Sequence, residues 1–462
     1  MPGNPRSAPR VLVAGGGMAG FCAALAAQEA GATVTIVEKG PRIGGSAALS
    51  SGFVWTHRDD LGVRIPLGNP QLQSVVTSGI ESGIEWLRGF GIRVGAEERI
   101  LDHGRGWRVE MVAGLELLDR TFRQRGGDVL LETSLAGLVR DRQGVVGARL
   151  EAQGRRSEAS ADAVVLATGG FQGNAELMAQ HCVPRLSNVY LRANPWSTGD
   201  GIVSALAMGG AMSGGLDSFY GHAMLGPPVS FQPVEFGDVT QYYGQRSVAL
   251  DLAGNRFTDE SVGTGEEVLN QALAQQPEGR GVYVVDRAVY EGDALPPGII
   301  STRAIIERAL DRDRAVQAAS LEELADRVER FDVHGPTALD TLLRHNDDMA
   351  AGRPGIPPRT LHRDPVSSPP FYAVAVKAAI TFTTGGLAVD ERMRVLDRAT
   401  SSAVNAEIIS DLPSFRPTPI GGLLAAGADV GNISNNGYAG GLATAMTTGR
   451  LAGVTAAQAG SP

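Results

Sequence analysis

A chain of 462 residues exceeds one ordinary domain, and its 43% hydrophobic and 20% charged residues are those of a globular protein with a large core. A net charge of −9 without a long basic run argues against nucleic-acid binding. With only Cys22 and Cys182 there is no disulfide framework, no apolar run is long enough to span a membrane, and MPGNPRSAPR lacks the apolar core of a signal peptide, so a cytoplasmic setting is expected.

RVLVAG, from Arg10 to Gly15, reads as a buried strand. MAGFCAALAAQEA follows as a helix whose small residues allow close approach to a sheet; Cys22 reads there as a packing residue. Gly31 stops the helix, and TVTIVEK closes a βαβ unit. After DVLLETS, the runs LAGLVRD and VVGARLEA, split at Arg142-Gln143-Gly144, read as an antiparallel hairpin. ADAVVLATGG is a further buried strand ending in glycines. Beyond Gly221 proline becomes frequent, and SLEELADRVERF and TALDTLLRHNDDM are charged, amphipathic helices. AVKAAITFTTGGLAVD and GGLLAAGADVG then return to apolar strands. These patterns predict an α/β nucleotide-binding unit over 8–221, a mobile cap over 222–370, and a second segment of the first unit over 371–462.

Gly15, Gly17 and Gly20 form a GxGxxG turn between the first strand and helix, and Glu38 ends the second strand. Such a turn brings backbone against a pyrophosphate at a helix N-terminus, while the carboxylate accepts from ribose hydroxyls. NAD and FAD share this fingerprint. KGPRIGGSAALSSGF, with Gly44, Gly45 and Ser46, is a run of small side chains that can lie along an extended ligand, and ATGG and LAAGADVG end two further strands in glycine. Three bare-backbone edges suit a dinucleotide held along its full length, which points to FAD.

VLVAGGGMAG, EKGPRIGGSAALSSG, ADAVVLATGGF, STGDGIVSALAMGGAM, GNRFTDES, ITFTTGGLAVD and LLAAGADVGNISNNGYAGGLATAMTTGRLAG together resemble the fumarate reductase/succinate dehydrogenase flavoprotein superfamily, over nearly all of the chain except parts of the cap. The 3-ketosteroid Δ1-dehydrogenases and tricarballylate dehydrogenases are the members most alike in feel. The resemblance implies a Rossmann-like FAD-binding domain of the glutathione-reductase type with an inserted α+β capping domain, and a substrate held between them. Carried over by motif, FAD contacts fall on Gly15, Gly17, Met18, Ala19 and Gly20, then on Glu38, Lys39, Gly44, Gly45, Ser46, Ser50 and Gly52. Further contacts fall on Thr168, Gly169, Gly170, Asp200, Gly427 and Asp429, the last standing where the family has Glu and expected to reach the ribose or ribityl chain. Gly441 and Leu442, opening the last helix, would aim N–H groups at the flavin pyrimidine end.

Oxidation beside a carbonyl needs a base for the α proton, donors for the enolate, and flavin N5 to take a hydride; reduction runs the same parts backward. The family's acid or base, four residues past the Glu of GNRFTDE, falls on Thr264. Its His before TxGG falls on Phe382, and its Arg near the C-terminus on Asn435-Asn436-Gly437-Tyr438. All three dicarboxylate-clamping positions therefore read as vacated. His222 matches a family histidine that faces substrate, as base or donor, with a packing role as the alternative. Tyr438 is either part of an enolate hole or a turn tyrosine. Tyr242 and Tyr243, adjacent on an extended segment, cannot both face the substrate. Tyr220 and Asp217 are weaker candidates, Lys377 reads as snorkelling at an edge, and no metal site is read.

The expected activity is an FAD-dependent dehydrogenase or desaturase, acting in either direction on a C–C bond beside the carbonyl of a small, neutral or cyclic ketone-type substrate. The alternatives are an enoate reductase fed by a separate electron donor and a decayed flavin-binding module. A separate electron acceptor is required, and homo-oligomerisation is left open. Members that hold FAD covalently carry a histidine after the second strand, and none occurs between Lys39 and Val54. Acid precipitation should therefore leave the flavin in the supernatant; yellow colour in the pellet would show a covalent bond.

Overall fold

The computed structural model describes residues 7–58, 68–100, 104–263, 267–292, 300–401, 417–434 and 440–459. Its centre is a six-stranded sheet in the order Arg394–Leu396, Pro419–Ala425, Ala163–Leu166, Arg10–Ala14, Thr33–Val37, Asp128–Leu130. All neighbours are parallel except the edge strand Arg394–Leu396. Parallel strands covered on both faces read as unbroken apolar runs, which is why VLVA and AVVL are buried throughout.

Helix Met18–Glu29 packs against the last helix, Gly441–Ala457, through small residues. A Cβ at Gly449 or Gly453 would collide with the carbonyl oxygens of Ala19 and Ala23, so the two backbones nearly touch. This contact fastens the end of the chain to its beginning. Cys22 lies buried beside it, and burial raises its thiol to about 12, in keeping with a packing residue.

The expected hairpin is present as Thr133–Arg140 and Val145–Ala152, and a third antiparallel strand, Arg155–Ser160, extends it. That third strand is mostly exposed and polar, so it carries no apolar alternation to announce it. Phe53–His57, Val94–Ile100 and Gly104–Val109 form another three-stranded sheet. No helix among the described residues is long and apolar enough to cross a membrane.

The segment read as a cap is built on five antiparallel strands. Its middle strand is Phe371–Lys377, flanked by Arg280–Val285 on one edge and by Ala315–Ala318 and Met224–Leu225 on the other. The boundary expected at residue 370 therefore moves past Lys377. FYAVAVK would suit either sheet, and only its hydrogen-bond partners assign it. The sheet is apolar on both faces. Val282 and Val284 join a small core with Leu324 and Leu342, while Tyr283 and Val285 face the main core.

The chain crosses between the two units twice, side by side. Phe219–Tyr220 on the outward crossing pairs antiparallel with Phe382–Thr383 on the return, setting Tyr220 opposite Phe382. Ala379–Ile380, just before the return, pairs parallel with Tyr190–Leu191.

Glu267 opens helix Glu267–Ala274 with its side chain buried and, among the described residues, no hydrogen-bond donor to Oε2. Burial raises its carboxyl from 4.5 to about 7. Between those values the folded chain holds a proton that the unfolded chain has released, so stability falls as pH rises through that window. Glu267→Gln should raise the melting temperature more at about pH 8 than at about pH 4.5. Equal shifts at both would show that this carboxyl is not the cause.

Candidate active site

A single cleft runs along the carboxyl ends of the central parallel strands, where α/β sheets bind ligands. Its lining runs from the turn at Gly15 and Gly17 to Tyr220 and Phe382.

One wall is the glycine turn. Gly15 has φ +115°, and a Cβ there would collide with the Ala167 carbonyl; one at Gly20 would collide with the carbonyl of Gly15. Gly20 thus serves helix-to-strand packing and does not line the cleft. Gly17 differs: a Cβ there would meet only the Gly44 oxygen, at 3.9 Å. The protein leaves that space open on the cleft side, and no side chain caps the helix that starts at Met18. Bare first-turn N–H groups beside such a space form an anion site.

Glu38 braces this wall. Its Oε2 accepts from the Gly16 N–H and its Oε1 from the Gly40 N–H, both at 2.7 Å. Burial raises its carboxyl, opposed by those two N–H groups and by Lys39. Lys39 Nζ donates to Thr198 Oγ1 at 2.6 Å and pairs with Asp200 at 3.0 Å, so these two expected contacts neutralise each other on the cleft wall. Gly45, Ser46 and Ser50 also line the cleft, and Ser46 Oγ accepts from the Asn194 N–H. Gly44 and Gly52, both at positive φ, shape the loop without lining it. Trp196, which the sequence reading passed over, covers this end next to Gly40.

Asp429, expected to touch the cofactor, is fully buried beside the Thr168–Gly170 turn. Its Oδ2 accepts from the Thr168 N–H at 2.6 Å and its Oδ1 from the Gly170 N–H at 2.9 Å, with the Thr168 hydroxyl also donating. The carboxylate holds the ATGG turn in shape, and Gly170 faces it instead of the cleft. Burial raises this carboxyl against the pull of those donors. Thr168, Gly169 and Gly427 remain on the wall.

At the far end stand Phe382, Tyr220, Phe236, Thr381 and Arg192, with Gly441 and Leu442 at the start of the last helix. A Cβ at Gly441 would lie 2.8 Å from the Phe382 ring. The hydroxyl of Tyr220 shares a 3.0 Å hydrogen bond with His222 Nε2, and the Tyr220 and Phe382 rings are 5.2 Å apart. His222 therefore does not face the cleft as expected: it sits one hydrogen bond behind Tyr220. Burial, aided by Arg192, lowers its pKa to about 3, so it is neutral at physiological pH.

Tyr242 packs against His222 with ring centroids 5.0 Å apart, off the wall itself. Tyr243 turns away; it is buried against Tyr283 and donates to Gln241 Oε1 at 2.9 Å, which removes it from the candidates. Lys377 lies over the Tyr190 ring, at 5.1 Å from its centroid. Thr264, Asn435, Asn436, Gly437 and Tyr438 lie outside the described residues.

The family model described as "FAD binding domain" matches residues 10–64 and 95–442. A probable fumarate reductase of Shewanella frigidimarina is 27% identical over 98% of this chain and 76% of its own length. The open conformation of a flavocytochrome c3 fumarate reductase superposes with a TM-score of 0.69 at 25% identity, covering 99% of this chain and 80% of that one. The 3-ketosteroid Δ1-dehydrogenase of Sterolibacterium denitrificans gives the same score at 17% identity, covering 97% and 99%, a likeness of fold.

Gly17→Leu fills the space that the protein leaves open and should yield a folded chain with most of its flavin lost. Gly20→Leu should instead impair folding, because its Cβ meets backbone. Full flavin occupancy in purified Gly17→Leu would refute the assignment of this turn.

Proposed function

The chain belongs to the FAD binding domain family, and from that premise we propose that it exchanges hydrogen across a C–C bond next to the carbonyl of a small substrate, with Tyr220 moving the proton. FAD is its cofactor, and the chain is an FAD-dependent oxidoreductase acting on C–C bonds. The flavin, when bound, supplies the two-electron half of the reaction. The observation that carries the reading is Tyr220, which lines the cleft and whose hydroxyl is hydrogen-bonded to a neutral histidine.

In the oxidising direction the Tyr220 oxygen, as phenolate, takes the proton from the carbon next to the carbonyl and becomes the phenol. In the reducing direction its O–H returns that proton to the same carbon. His222 holds the phenol in place through Nε2 and is a positioning residue. Phe382 faces the space opposite, where an apolar ring or alkyl chain fits better than a carboxylate, since a buried charge needs a fixed partner. A separate molecule gives or takes the electrons. The fumarate reductases among the relatives support the reducing direction equally well, and the same side chains serve both.

Tyr220→Phe should lower turnover by ~10²–10⁴-fold without loss of bound FAD, while His222→Ala should cost less. Under anaerobic conditions, cyclic ketones carrying α and β hydrogens should bleach the oxidised enzyme, and succinate should not. Fast bleaching by succinate alone, or unaltered turnover in Tyr220→Phe, would overturn the assignment.

A further inference from the structure

Four charged residues line the cleft, and three have their charges answered inside the protein. Glu38 accepts two backbone N–H bonds, and Lys39 pairs with Asp200. The fourth is Arg192. Its Nη1 donates to Thr381 Oγ1 at 3.3 Å and its Nη2 reaches the Tyr242 hydroxyl at 3.5 Å, while the buried Nε meets no acceptor. Among the described residues no carboxylate approaches it. A half-buried guanidinium whose partners are two neutral hydroxyls has donors left for an anion.

Position narrows what that anion is. Thr381 adjoins Phe382, and Tyr242 packs on His222, which bonds Tyr220. Arg192 thus belongs to the Tyr220–Phe382 end of the cleft. We propose that Arg192 binds the carboxylate of the substrate, so that the substrate is a monocarboxylate with an apolar ring or chain against Phe382. A second carboxylate would find no other unanswered cation among the described lining residues. The inference rests on the reading of this end as the substrate end. It narrows the expectation of a neutral or singly charged substrate to the singly charged one.

The test is binding, independent of turnover, so that it stands even if Tyr220 proves not to move the proton. FAD-loaded enzyme is titrated with cyclohexanecarboxylate and with the isosteric cyclohexanecarboxamide, and the change in flavin absorbance is followed. The carboxylate should bind wild type at least about tenfold more tightly than the amide, as a charge-assisted pair requires. Arg192→Gln should abolish that preference with flavin content unchanged, and Arg192→Lys should keep part of it. Equal binding of both probes to wild type, binding of neither, or an unchanged preference in Arg192→Gln would overturn the proposal. Loss of flavin from Arg192→Gln that Arg192→Lys restores would also overturn it, by marking the cation as a partner of the cofactor.

Discussion

The structure depends on backbone meeting backbone at Gly15. The turn after the first strand passes so close to the Ala167 carbonyl that no side chain fits, and Gly20 presses on the turn from the helix side. These contacts leave the helix one direction to start in, with its N-terminal amides aimed into the cleft. Glu38 then ties the turn to the end of the second strand, and Asp429 does the same for the turn after Ala163–Leu166. Both carboxylates are buried and answered by backbone N–H groups, the pairing that makes a buried charge tolerable. Two turns, each braced by a carboxylate, make this wall of the cleft.

The second constraint is the pairing of the two crossings. Because Phe219–Tyr220 and Phe382–Thr383 hydrogen-bond to each other, the link between the units is a short ribbon instead of two loose strands. Gly221 continues it against the Ala379 carbonyl, where a Cβ would collide. Tyr220 and Phe382 project from this ribbon. Their spacing is therefore set by a strand register, and any movement of the cap sheet about the ribbon would leave that register intact. A proton-moving group gains from such placement, since small displacements cost much in rate.

Charge is distributed along the cleft with the same economy. Lys39 and Asp200 cancel, and Glu38 is bound by backbone. Among the described residues Arg192 has hydroxyl partners only, beside a histidine that burial keeps neutral. A neutral His222 cannot repel a cation or an incoming proton donor, and it leaves the guanidinium as the local source of positive potential. The aromatic residues Tyr220, Phe382 and Phe236 line this end of the cleft.

Local pattern in the sequence determined the nucleotide unit. The apolar runs, the glycine spacing and Glu38 are short-range signals, so the βαβ unit, the hairpin and the cofactor class could be read from them. Phe371–Lys377 was expected within the second segment of the first unit and pairs in the other sheet, since an apolar run looks alike in either and only long-range hydrogen bonds choose. Asp429 was taken for a ligand contact because a carboxylate after a glycine-ended strand reads the same whether it faces ligand or backbone. His222 and Tyr220 lie two residues apart, and the motif alone favoured the histidine; the turn of the ribbon put the tyrosine on the wall and the histidine behind it. Arg192 carried no motif at all, two residues ahead of the Asn194 that touches Ser46. Its importance comes from what is missing around it, a counter-charge. That is a property of three-dimensional neighbours, contributed by segments nearly two hundred residues apart, and only the tertiary structure could decide it.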